Sequence, residues 1–151
     1  MAPKIADILS SQSASSLGIG TVTRGDIYLM KMDQSNGIVP KDGDEYRNKF
    51  FVVLGFDGNT VYGGVIINSE INKNLASKIK DQQVRILRAD YPFLTHDSFV
   101  DCVKLKVADI SKFASWDFKD KMQEKDLTVV LSKIVNSPAE KRVNLRRFGL
   151  I

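Results

Sequence analysis

The sequence predicts a small, mainly β domain finished by an amphipathic helix. Two apolar runs rich in β-branched and aromatic residues, Phe50 to Leu54 and Val61 to Ile67, flank Asp57-Gly58-Asn59. Gly, Asp and Asn tolerate positive φ, so this is a hairpin turn between two strands. Shorter apolar or alternating runs occur at Gly25 to Met32, Gln83 to Arg88 and Ser98 to Val107. Leu127, Val130, Leu131, Ile134 and Val135 recur at helical spacing and make one apolar stripe.

In chain order, residues 1–24 read as a separate arm. Ile5 to Leu9 is long enough for one helical turn, and Ser10 to Ser16 has the composition of a linker or tail, or of a partner-binding segment. In Gly25 to Met32, Tyr28, Met30 and Met32 fall on one face and Ile27 and Leu29 on the other, so both faces are expected to be covered. Asp33 to Tyr46 is rich in Asn, Gly, Pro and Asp and reads as a long loop, a common place for function. Asn72 to Asp81 is a short helix or a lysine-bearing loop. Asp90-Tyr91-Pro92 ends the Gln83 to Arg88 strand. Along Ser98 to Val107, alternation puts Phe99, Val103, Leu105 and Val107 on one face, spoiled by Asp101, with Val100, Cys102, Lys104 and Lys106 on the other. Val107 to Phe113 reads as a helical turn or loop, and Asp117 to Met122 as a last short strand. The helix spans Lys125 to Val135, with Glu124 and Asp126 at its start and Lys133 near its end, as the dipole favours. Asn136-Ser137-Pro138 stops it. The basic segment 137–151 is a second short amphipathic helix or an extended tail.

Bulk properties narrow the functional classes. With 151 residues, 43% of them hydrophobic, the chain can build one real core. Its 22 basic and 18 acidic residues give a net charge of +4, which permits a polyanionic partner without requiring one. One cysteine, Cys102, excludes an internal disulfide and fits a reducing compartment; one cysteine and one histidine do not make a zinc site. No apolar run approaches a membrane span and the N-terminus lacks the apolar core of a signal peptide, so the expectation is a cytoplasmic protein without a membrane partner. Neither a phosphate-binding glycine loop nor a nucleophile elbow occurs. No cofactor is expected. His96, without a partner at a recognisable spacing, reads as a turn residue.

The hairpin ends hold the candidate site. Arg47, Asn48 and Lys49 precede the first strand; Asn68 and Ser69 follow the second. An antiparallel hairpin places those ends side by side. A cationic pair then meets an amide and a hydroxyl, either as a plain solvated end or as a site. Asp101 needs a partner, either a backbone amide or a basic residue at this edge.

The order of these motifs resembles the MazF/PemK/Kid toxins of type II toxin–antitoxin systems. Gly25-Asp26-Ile27-Tyr28 resembles the family's opening strand, and Lys49-Phe50-Phe51-Val52-Val53-Leu54 the strand in which a basic residue precedes V-V-L. Val65 to Ser69 resembles the strand ending in Thr or Ser. Phe99 to Leu105 is similar to the Asp-containing strand, and Lys121 to Leu127 to the turn into the final helix. The likeness covers residues 25–136 and leaves 1–24 and 137–151 outside. Lysine stands where arginine is usual, serine where threonine is usual, and the Arg-Pro step is replaced by Lys49-Phe50.

The resemblance implies a small SH3-like β-barrel with a C-terminal helix. It also implies metal-free cleavage of single-stranded RNA to 2′,3′-cyclic phosphate and 5′-OH ends. The family's key basic residue maps onto Lys49, with Arg47 two residues earlier as the other candidate, and its threonine maps onto Ser69; the reading takes Lys49 for proton transfer, Arg47 for phosphate charge and Ser69 as a hydroxyl donor to phosphate, with Lys41 of the long loop, Asn68 and Lys31 as RNA contacts. A homodimer inhibited by an antitoxin protein is the implied assembly. Two alternatives stay open: a non-catalytic barrel that binds RNA or protein, and a relative of the barrel toxins that poison DNA gyrase. A metal-dependent enzyme fits least, because Asp26, Asp33, Asp42, Asp44 and Asp101 have no ligand spacing.

Overall fold

The central hairpin extends beyond the apolar runs that predict it. In a computed structural model describing residues 22–36, 38, 47–69, 80–109 and 117–151, its strands are β2 (Arg47–Asp57) and β3 (Val61–Asn68). Gly58 takes φ +70° in the turn between them, as the Asp-Gly-Asn sequence requires. Around this pair lie β1 (Asp26–Met32), β4 (Gln83–Ile86), β5 (Ser98–Asp109) and β6 (Asp117–Lys121). All pair antiparallel in one six-stranded sheet of order β4-β5-β3-β2-β1-β6. Among the described residues the sheet does not close on itself: β4 and β6 are its edges. Two helices follow, α1 (Glu124–Val135) and α2 (Arg142–Arg147).

The sheet carries an apolar cluster on each face. Ile27, Val52, Leu54, Val65, Ile67 and Val100 join Val130 and Ile134 of α1 and Leu145 of α2 in the larger one. Tyr28, Met30, Met32, Phe51, Val53 and Ile66 form the smaller one, with Ile38 from the loop after β1. Tyr28, Met30 and Met32 are buried on one face of β1; the other face is buried at Ile27 and partly covered at Leu29, while Lys31 at its end is exposed. The loop begins with a 3-10 turn, Gln34–Asn36, and the buried Asn36 donates to the Val107 carbonyl at 2.8 Å.

Strand β5 departs from the expected alternation. Val100 and Cys102, not Phe99 and Val103, are the fully buried residues of its first half. Between Gly64 and Ile66 of β3, the partner on β5 jumps from Lys106 to Asp101, so extra β5 residues bulge out. Parity inverts across the bulge: Cys102 and Leu105 both pack with the larger cluster, and Ala108 reaches the smaller one. The strand also runs on to Asp109, through part of the expected turn.

Buried polar groups fix the connections. Asp26 accepts from the Thr23 amide and hydroxyl at 2.9 Å each, from the Tyr28 hydroxyl at 3.0 Å and from Lys121 Nζ at 3.3 Å. One carboxylate therefore joins the chain before β1, β1 itself and β6. Asp26→Ala is expected to cost about 3 kcal/mol in denaturant unfolding, because it strands these donors; a loss under about 0.5 kcal/mol would refute this role. Tyr91 is fully buried. Its hydroxyl donates to Asp126 at 2.6 Å and accepts the Gln123 amide at 2.9 Å. Those are the first-turn groups of α1, whose N-cap residue Gln123 makes no side-chain cap of its own.

The basic C-terminal segment packs as a short helix against the larger cluster. Leu145 and Phe148 are buried. Glu140 accepts from the Leu105 amide at 2.6 Å and from Asn144 Nδ2 at 2.8 Å, tying the segment to β5. Arg147 pairs with Asp57 in the hairpin turn at 2.7 Å.

Candidate functional site

Strand register brings the cations to one face. Lys49 lies opposite Met30 and Arg47 opposite Met32. Both share the face of Phe51 and Val53, so they stand on the side of the sheet away from the helices. Asn68, at the end of β3, shares the face of Ile66 for the same reason. Lys49 Nζ donates to Asn68 Oδ1 at 2.8 Å. The hairpin-end juxtaposition expected from sequence is therefore present as a direct contact.

The Lys49 ammonium is half-buried, and burial lowers its pKa from the ordinary lysine value. The Arg47 charge lowers it further and Lys106 adds to that, while Asp101 opposes them. Asp101 lies opposite Ile66 and Gln83, on the same face. Its carboxylate accepts from the Val103 amide at 3.1 Å and from Gln83 Nε2 at 3.2 Å. Of the two expected partners, the backbone amide is the one contacted; the Lys49 ammonium goes to Asn68.

The other candidates fall in different places. Ser69 is exposed, one residue past the end of β3. Lys31 pairs with Asn48, out of phase with Met30 and Lys49, so it projects from the opposite face and does not join the cluster. Lys41 lies outside the described residues. Lys106 was not singled out from sequence, because simple alternation grouped it with Cys102; its pairing with Gly64 places it on the Lys49 face instead.

Other reactive groups offer little. Cys102 is buried and its thiol is pushed up to about 12, so it stays protonated at neutral pH. His96 is exposed, with Nδ1 at 3.0 Å from the Asp97 carbonyl in a turn. Among the described residues no group of His, Cys, Asp or Glu is placed to hold a metal ion, and no helix is long and apolar enough to cross a membrane.

The arrangement provides a lysine whose amine is more available than usual, a guanidinium beside it and an amide that orients the amine. Such a set can move a proton and hold an oxyanion. No protein-family model matches the chain, and no curated protein matches it.

Proposed function

We propose that this protein is a metal-independent endoribonuclease toxin of a toxin–antitoxin system, acting on single-stranded RNA. The observation that carries the proposal is the Lys49–Asn68 contact at 2.8 Å, next to Arg47, with the Lys49 pKa lowered by burial and by that neighbour. The motif order resembling MazF/PemK/Kid proteins supplies the reaction. The ribose 2′-oxygen attacks the adjacent phosphorus, a new P–O bond forms, and the bond to the 5′-oxygen breaks. The proton leaving the 2′-hydroxyl is taken by the neutral Lys49 amine, and the 5′-oxygen leaves with a proton from the protonated amine or water. Arg47 holds the charge on the phosphate through its planar fork, and the exposed Ser69 hydroxyl donates to a phosphate oxygen.

The same reading makes the six strands part of an SH3-like barrel architecture and the active form a cytoplasmic homodimer. An antitoxin would carry acidic groups to this cationic face. The test is incubation of the purified protein with a long mixed-sequence RNA in EDTA, with both new ends mapped. Discrete cuts leaving 5′-OH and 2′,3′-cyclic phosphate ends are expected. Intact RNA in the presence of folded protein would remove the nuclease reading and leave a binding module.

A further inference from the structure

One cross-strand row runs through the candidate site. Arg85 of β4 pairs with Phe99 of β5, and Phe99 pairs with Asn68 of β3. Asn68 in turn holds Lys49 of β2. Directly paired residues share a face, so Phe99 lies on the Lys49 side of the sheet, with Arg85 on one flank and Asn68 on the other. Its ring is only partly buried. It belongs to neither apolar cluster and packs against neither. Among the described residues it meets no other aromatic ring; the ring pairs there involve Tyr28, Phe50, Phe56, Tyr62, Tyr91, Phe93 and Phe118. A large, partly exposed aromatic that joins no apolar cluster among the described residues, two strands from a cationic phosphate site, has the placement of a base platform. Single-stranded nucleic acids are held in this way, with cations along the backbone and rings beneath the bases.

We infer that Phe99 stacks a nucleobase of single-stranded RNA next to the phosphate held at Lys49 and Arg47. The inference rests on the nuclease reading for the position of that phosphate and adds the residue that seats the neighbouring base. Charge on the face suits such a ligand: Arg47, Lys49 and Lys106 lie on the same face as the row. Of the acids there, Asp101 is engaged by Val103 and Gln83, and Asp97 by Arg85 at 2.7 Å. Stacking tolerates every base, so Phe99 sets affinity and placement rather than a sequence code.

The test uses the full chain and a short single-stranded RNA carrying 2-aminopurine, whose fluorescence is quenched by stacking. Binding is read in protein that retains Lys49 and Arg47, with the RNA 2′-O-methylated so that it stays intact, and with Phe99→Leu and Phe99→Trp substituted singly. Quenching without Phe99 substitution, loss of quenching and about tenfold or more weaker binding with leucine, and recovery with tryptophan are expected. In cleavage of the unmethylated RNA, Phe99→Leu should raise KM more than it lowers kcat. Thermal midpoints of the variants confirm that each is folded. Unchanged binding and quenching in folded Phe99→Leu protein would overturn the inference while leaving the nuclease reading intact. Phe99-dependent quenching without any cleavage by the unsubstituted protein would do the reverse. Absence of RNA binding altogether would overturn both.

Discussion

Lys49→Gln is expected to reduce RNA cleavage by about two to four orders of magnitude, the usual range for removing a positioned proton-transfer group. Glutamine can still donate to Asn68, so the hairpin end should hold and the thermal midpoint should move little. The pH dependence gives a sharper reading. Burial and Arg47 lower the Lys49 pKa, so the rising limb of activity should lie below the ordinary lysine range and vanish in the variant. Asp101 opposes the shift, so Asp101→Asn should move the limb to still lower pH. Stability follows the same group with a definite sign. Between the lowered folded pKa and the unfolded value, the unfolded chain binds more protons. Stability therefore rises with pH through that window, and the penalty is complete below it. Lys49→Gln should flatten that segment of the pH–stability curve. Full activity in the variant, with an unchanged pH profile, would rule Lys49 out as the proton-transfer group.

The second large effect concerns stability. Gly63→Ala and Gly55→Ala are each expected to cost about 3 kcal/mol or more. A Cβ at Gly63 would lie 2.6 Å from Cγ of the Phe148 ring, and one at Gly55 would run into the Phe148 backbone carbonyl. Both glycines have ordinary backbone angles, so the space taken by Phe148, and not a positive φ, requires them. Phe148→Ala should itself cost about 3–5 kcal/mol as a buried aromatic truncation. Combined with Gly63→Ala, it should restore part of the loss, because the clash is with the ring; denaturant unfolding of the double-mutant cycle measures this coupling. Gly55→Ala should gain less from the same partner, since its clash is with backbone. Additive losses at Gly63 and Phe148 would show that the ring does not impose the glycine.

Local chemistry made much of this structure legible. The Asp-Gly-Asn turn and its flanking apolar runs predict the hairpin, and the stripe from Leu127 to Val135 predicts α1 to within a residue at its start. The Lys49–Asn68 meeting also follows from hairpin geometry alone. What sequence reasoning missed depends on distant pairing. The inverted parity of β5 comes from a bulge opposite Gly64 to Ile66, and nothing in Ser98 to Val107 announces it. Phe99 was therefore assigned to an apolar face, and Lys106 was grouped with the wrong neighbours. Lys31 looked like one more cation near the site because its strand position was known but its register against Asn48 was not. The segment after Pro138 reads as a short amphipathic helix or an extended tail, and the helix is the form it takes, but the place where it docks is not legible in it. Its anchors, Leu145 and Phe148, are spaced among arginines, and the matching recess is built by two glycines about ninety residues earlier.

Tyr91 gives the first turn of α1 a cap that comes from outside the helix. Its hydroxyl serves the Gln123 amide and the Asp126 carboxylate at once, and Lys125 adds a 2.9 Å contact to Asp90 beside it. The helix start and the segment after β4 are thus one cooperative unit for local opening. Amide protons in the first turn of α1 should exchange with solvent at the same rate as those of Tyr91 and Leu94, whose amides bond within their own turns. Tyr91→Phe, which keeps the ring and removes the hydroxyl, should speed exchange of the Gln123 amide and loosen this unit while leaving the far end of the helix protected.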